Sequence, residues 1–170
     1  MAVNYIPDGY QQVTPYLTVN RAGEAIEFYK TAFGATEVMR FEHNGVLGHA
    51  EIEIGGCRIM LGEEMPEWGN KSPRTLGGSP GGLHIYVKDV DQAFAQAIKA
   101  GARQEQPVTD QFYGDRSGNL VDPFGHRWTL ATHKEDVSQD ELQRRFREMM
   151  EKMIVTSDHS TAKSAEPATR

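Results

Sequence analysis

The sequence predicts an α+β fold made of two repeated βαβββ modules, followed by a C-terminal helix. Three observations carry that prediction. A pattern of strand, helix and three strands occurs twice, at an offset of about 68 residues. Both helical segments stop at the same dipeptide, Gly34-Ala35 and Gly101-Ala102. After residue 138 a different pattern begins, one apolar stripe at helical spacing.

Residues 1–12 read as an N-terminal arm. Segment 13–19 alternates and reads as a strand. In 24–33, Ile26, Tyr29 and Phe33 fall on one helical face, and Gly34 supplies the stop. Strands are expected at 36–43, 47–54 and 57–61, with Gly55-Gly56 as a tight hairpin turn between the last two. The first module is thus 13–61. A loop over 62–82 is rich in Gly, Pro and Ser and carries Met65 and Trp68. A loop of this length is a linker or has a function.

The second module, 83–133, repeats the order. It has a strand at 83–87, a helix over 90–100 with Val90, Phe94, Ala97 and Ile98 on one face, and strands near 103–108, 116–121 and 126–132. Asp122-Pro-Phe-Gly125 has the chemistry of a turn. The C-terminal helix is placed at 134–155. Ser138 and Glu141 form a capping box, and Leu142, Phe146, Met149, Met150 and Met153 make the stripe. Residues 156–170 are small and polar and are expected to be a disordered tail.

The 170 residues include 18 Lys and Arg against 24 Asp and Glu, a net charge of −6. Nucleic-acid binding needs clustered cations, so no nucleic-acid partner is expected. The single cysteine, Cys57, allows no disulfide within one chain. The N-terminus reads as no secretory signal, and no apolar run is long enough to span a bilayer, so a soluble cytoplasmic protein without a membrane partner is expected.

Gly23-Glu-Ala-Ile-Glu-Phe-Tyr-Lys30, Phe33-Gly34-Ala35, Val87-Lys-Asp-Val-Asp91 and Asp122-Pro-Phe-Gly-His-Arg-Trp128 together resemble the vicinal-oxygen-chelate superfamily. That is the glyoxalase, bleomycin-resistance and extradiol-dioxygenase group. Tyr113-Gly-Asp-Arg-Ser-Gly118 before Asp-Pro-Phe-Gly-His is similar to its PhnB-like branch. The resemblance covers about residues 13–133 and implies paired modules whose mixed sheets curl into a cup. It implies no single activity, because the superfamily holds isomerases, dioxygenases, antibiotic-modifying enzymes and drug-binding proteins.

Strand parity assigns the faces. Val13, Leu17, Val19, Cys57, Ile59, Leu61, Leu83, Ile85, Val87, Trp128 and Leu130 are expected on the helix side. Thr14, Tyr16, Thr18, Arg58, Met60, Gly82, His84, Tyr86, Arg127, Thr129 and Ala131 are left for the cup. Metal-dependent members of the resembled family place His, Glu, His and Glu on four cup strands. The matching places here are Thr14, Met60, Gly82 and Thr129, which are poor ligands for a divalent ion. No metal is therefore expected. Nothing resembles a nucleotide-binding loop either, so no cofactor is expected.

Several residues have two readings. His49, Glu51 and Glu53 could be ligands or an acid/base pair, or simply a polar face. His84 and Tyr86 could act as acid/base or stacking groups, or as cavity-wall residues. Asp115 and Arg116 could hold an anion, or form an internal ion pair. Arg58 and Arg127 could attract an anionic ligand, or make salt bridges with Glu51 or Glu53. The leading expectation is a small organic ligand in a cup walled by Tyr16, Arg58, Met60, His84, Tyr86, Tyr113, Arg116, Arg127 and Thr129. The rival is a metal-dependent lyase, isomerase or dioxygenase with a rearranged site using His49, Glu51, Glu53 or His84. A homodimer is expected, because the Met-rich stripe needs cover.

Overall fold

The computed structural model describes residues 3–162. The first module holds β1 (Tyr16–Val19), α1 (Ala22–Phe33), β2 (Thr36–His43), β3 (Val46–Ile54) and β4 (Cys57–Glu63). The second holds β5 (Gly82–Tyr86), α3 (Val90–Lys99), β6 (Arg103–Asp110), β7 (Asp115–Val121) and β8 (Arg127–His133). Each module makes a four-stranded sheet, in the orders β1-β4-β3-β2 and β5-β8-β7-β6. The first strand of each pairs in parallel with the last, and the other pairs are antiparallel.

Local chemistry explains the punctuation. Gly55 and Gly56 have φ of 57° and 78° between the paired residues Ile54 and Cys57, as a two-residue primed turn requires. Gly34 ends α1 in the left-handed region, and its N–H donates to the Lys30 carbonyl at 3.2 Å. Asp89 caps α3 by accepting from the Gln92 N–H at 3.0 Å.

β4 and β6 each run two residues past their expected ends, to Glu63 and Asp110, and three larger departures from the sequence reading have physical content. β1 starts at Tyr16 rather than 13, because Pro15 has no N–H for a ladder, although its carbonyl accepts from Met60 at 2.9 Å. Val13 is consequently exposed instead of packing on the helix side. The 62–82 loop is not featureless: it carries a short 3-10 turn (Pro66–Trp68) and α2 (Pro73–Leu76). The C-terminal helix, α4, runs Gln139–Ala162, starting after its Ser138 cap rather than at the expected 134 and continuing beyond the expected end at 155. The rest of the expected tail, 163–170, lies outside the described residues.

One core joins both modules, and it lies on the helix side of the sheets. Ile26, Tyr29, Ile52, Leu61, Leu120, Trp128 and Leu130 are fully buried. The seam is aromatic: the Phe33 and Trp128 rings are 4.7 Å apart and Tyr29 and Trp128 5.5 Å. At its centre Asp122 accepts from the Tyr29 hydroxyl at 2.8 Å, the Trp128 indole N–H at 2.9 Å, and the Phe124 and His126 backbone N–H groups at 2.8 and 2.9 Å. Gln96 of α3 also donates to the Thr31 carbonyl of α1 at 2.6 Å. α4 rests on the second module: Phe146 meets Phe112 at 5.7 Å, and Arg145 pairs with Glu135 at 2.8 Å. Phe146, Met150 and Met153 nevertheless stay exposed.

Candidate functional site

Because the modules join through their helix side, the opposite faces of the two sheets are both left open. Parity places Tyr16, Arg58 and Met60 on the open face of the first sheet, and Arg127, Thr129, His84 and Tyr86 on that of the second. Neither face covers the other: Tyr16 remains 53% exposed and Tyr86 63%. The expected ligand-lining residues therefore form two groups, and one chain alone does not enclose them. Between the edges lies a cleft of about 460 Å³, lined by Pro15, Cys57, Ile59, Leu83, His84 and Tyr86 among others. Cys57 keeps the helix-side parity of Ile59 but is only partly buried, at the rim of this cleft.

The first face is built on a buried carboxylate. Glu51, 3% exposed, accepts from the Arg58 guanidinium at 2.7 Å and from the Tyr10 hydroxyl, and His49 stands 3.3 Å away. Tyr10 also lays its ring 5.0 Å from the Arg58 guanidinium carbon. Burial pushes the Glu51 carboxyl up, but the hydrogen bonds from Tyr10, Arg58 and His49 outweigh it and hold the group below its usual range. Arg58 is thus committed to an internal ion pair, one of the two readings the sequence left open. Beside this network, Tyr16, His49 and Phe41 form an aromatic row, with ring separations of 5.8 and 6.1 Å.

The second face has a counterpart at the far end of its strands. Asp115, 4% exposed, accepts from the Tyr86 hydroxyl at 2.9 Å and meets His133 Nδ1 at 2.7 Å. The other ring nitrogen of His133 is 3.0 Å from Asp136. The bonds to Asp115 and then to Asp136 raise the His133 pKa and favour the imidazolium. The hydrogen bond to Asp115 likewise holds the Tyr86 phenol in its protonated form. Tyr86 reaches Asp115 across the small Ala131, its register partner on β8. Tyr113 closes the group, with its hydroxyl 3.4 Å from Ser117. His84 stacks at an angle on Tyr86, centroids 4.7 Å apart.

Arg116 corrects the sequence reading. It does not line the open face: its guanidinium pairs with Asp91 of α3 at 2.7 Å and Asp110 at 3.2 Å. It shares the parity of the buried Leu120, which fixes that side as the helix side. Asp115, its neighbour, points the other way. Arg127 is on the open face but pairs with Glu105 at 2.9 Å, rather than with Glu51 or Glu53.

Sequence reasoning missed Tyr10, His133 and Asp136. Continuing the parity of Arg127, Thr129 and Ala131 by one step reaches His133. No local signal marks Tyr10, which acts on a residue 41 positions away.

The places that the resembled family fills with metal ligands do not fit a metal here. Thr14 precedes β1 and donates to the Gln11 carbonyl at 3.2 Å, and the Thr129 hydroxyl donates to Asn119 at 2.9 Å. Met60 offers a thioether and Gly82 no side chain. Among the described residues no three His, Cys, Asp or Glu side chains are arranged to hold a metal ion. Asp115 and Asp136 do not make such a set with His133, since they bond opposite nitrogens of one ring and cannot converge on one ion.

Comparison with known proteins matches residues 9–130 to the Glyoxalase/Bleomycin resistance protein/Dioxygenase superfamily. An uncharacterized protein of Mycobacterium tuberculosis strain H37Rv is 42% identical over 147 residues, covering 84% of this chain and 84% of its own. The crystal structure of an Arabidopsis thaliana gene product is similar with a TM-score of 0.59 and 28% identity, over 72% of this chain and 98% of that one. The fosfomycin resistance protein FosX of Listeria monocytogenes shares the fold, with a TM-score of 0.56 and 16% identity over 78% of this chain and 97% of its own. With the duplicated modules, the shared core and the matched length in agreement, this chain belongs to the glyoxalase/bleomycin resistance protein/dioxygenase superfamily.

Proposed function

We propose that this protein binds a small organic molecule without a catalytic metal, in a cup completed by a second copy of the chain. The observation that carries the reading is the pair of open faces. Each sheet presents aromatic and hydrogen-bonding side chains to solvent: Tyr16, Phe41 and His49 on one, His84, Tyr86 and Tyr113 on the other. Apolar surface of this kind in a contiguous patch marks a binding surface. Docking the first face of one copy on the second face of another would surround a ligand with aromatic walls, which supply affinity, and with a few polar groups, which set orientation. The likeness of Tyr113–Gly118 and Asp122–His126 to the PhnB-like branch supports assigning the chain to it. A cytoplasmic homodimer is the corresponding assembly. No helix among the described residues is long and apolar enough to cross a membrane.

The metal-dependent alternative has less support. Its best carboxylate, Glu51, is already neutralised by Arg58, and His84 has no carboxylate beside it among the described residues. Native mass spectrometry of the purified protein tests both readings at once. The expected result is a dimer mass with a bound small molecule, and less than about a tenth of an equivalent of Ni²⁺, Zn²⁺ or Mn²⁺ per chain. Near-stoichiometric metal would overturn the metal-free reading. A monomer in sedimentation at about 50 µM would overturn the shared cup.

A further inference from the structure

We propose that the end of the second sheet opposite Asp115 is an oxyanion site, shaped for the phosphate group of a small phosphate monoester. This deepens the ligand-binding reading above, and rests on it for the organic part of the ligand. A cavity of about 580 Å³ lies at that end, lined by Arg74, Arg103, Arg127, Glu105 and the loop Gly77-Gly78-Ser79.

The arginines come together for structural reasons. Arg103, Val121, Arg127 and Gly82 are successive register partners across β6, β7, β8 and β5, so one row at the sheet end brings two guanidinium groups to the same rim. The third comes from the 62–82 loop, which is held in place. Glu64 accepts from the Ser72 N–H at 2.9 Å and the Thr75 hydroxyl at 2.7 Å. The loop also packs on the 122–126 turn so closely that a Cβ on Gly125 would meet Pro73 at 3.0 Å.

Charge then selects the ligand. Glu105 is the one carboxylate in the lining. It accepts from Arg127 at 2.9 Å and stands 4.0 Å from Arg103, whereas the Arg74 guanidinium has no hydrogen bond or ion pair among the described residues. Three guanidinium groups against one carboxylate leave an excess of two positive charges, in a chain whose net charge is −6. Donors arriving from a loop and from two strands surround a tetrahedral group rather than forking a planar one, which favours a dianionic phosphate over a carboxylate. The glycines and Ser79 leave room for it: no atom lies within 4 Å of a Cβ built on Gly77 or Gly78. Six residue steps of β8 separate Arg127 from His133, about 20 Å along the strand, so the site is independent of the Asp115 group.

Isothermal titration of the full-length protein with inorganic phosphate, at constant ionic strength, tests the site directly. Saturable binding with a Kd near or below about 1 mM is expected. The variant Arg74→Gln/Arg103→Gln should weaken it at least about tenfold, and Arg40→Gln, on the first module, should leave it unchanged. Phenyl phosphate should bind more tightly than benzoate. Absence of saturation by about 20 mM phosphate, equal binding by wild type and the double variant, or a preference for benzoate would each overturn the proposal. All three arginines are exposed, so the variants are expected to fold, and circular dichroism checks that they do. A phosphate site with no small molecule in native mass spectrometry would remove the organic-ligand reading alone; a bound molecule without a phosphate site would remove this one alone.

Discussion

Two buried carboxylates, one in each repeat, support the open faces by different means. Glu51 is bound to a permanent cation, Arg58, and sealed by Tyr10 from the N-terminal arm. Asp115 is bound to a titratable cation, His133, and to the phenol of Tyr86. The first arrangement is fixed at any neutral pH. The second contains a group that titrates, with its pKa raised above the ordinary histidine value. Duplication has supplied equal frameworks, but the partner of each carboxylate decides which face responds to acidity.

The sharpest way to break this comparison is to remove the permanent cation. Arg58→Ala leaves Glu51 charged and without its permanent cation in a buried place, held only by Tyr10 and His49, and about 3 kcal/mol of stability should be lost in urea unfolding. A loss below about 1 kcal/mol would mean that Glu51 finds another partner or protonates at little cost.

The next test separates the faces by pH. The folded His133 pKa lies above its ordinary value, so the unfolded chain loses this proton first as pH rises. Its stabilisation is complete below about 6.5 and declines as pH climbs through the raised folded value. His133→Asn should abolish that decline. Glu51 has the opposite sign: its folded pKa is lowered, so its contribution is complete above its ordinary 4.5 and is lost as pH falls through the folded value. Glu51→Gln should flatten only the acidic limb. Urea midpoints measured across both limbs check the two signs, and identical profiles for the two variants would erase the distinction.

A smaller effect is expected from Tyr86→Phe. Without the phenol, Asp115 concentrates on His133, and the imidazole titration seen by NMR should move further upward. The smallest is expected from Arg116→Ala. Its ion pairs lie on the helix side with exposed acidic partners, so neither stability nor ligand binding should change measurably. A loss of binding in that variant would return Arg116 to the ligand face.

The fold was largely legible because its signals are local. Helix stops at Gly34 and Gly101, the Gly55-Gly56 hairpin and the alternation in β4, β5 and β8 are short-range patterns tied to backbone geometry. The faces were legible for the same reason wherever an apolar residue fixed the parity. Arg116 could have been placed from Leu120, four residues away on the same side. The networks were not legible, because their members meet only through tertiary structure. Tyr10 reaches Glu51 from an arm without periodicity, and Asp136 reaches His133 from a linker. Nor does alternation tell a side chain that faces a ligand from one, like Arg58, that is consumed by its neighbour.

Asp122 gives the duplication a final consequence. Its carboxylate gathers a phenol from the first repeat and an indole and two amides from the second, at the only described place where one side chain binds both halves so densely. The two repeats are thereby tied through one buried acid. These two have become hostages to each other: severed near residue 70, the first half would strand the Tyr29 hydroxyl in an oily wound, and the second would lose the lid over its acid.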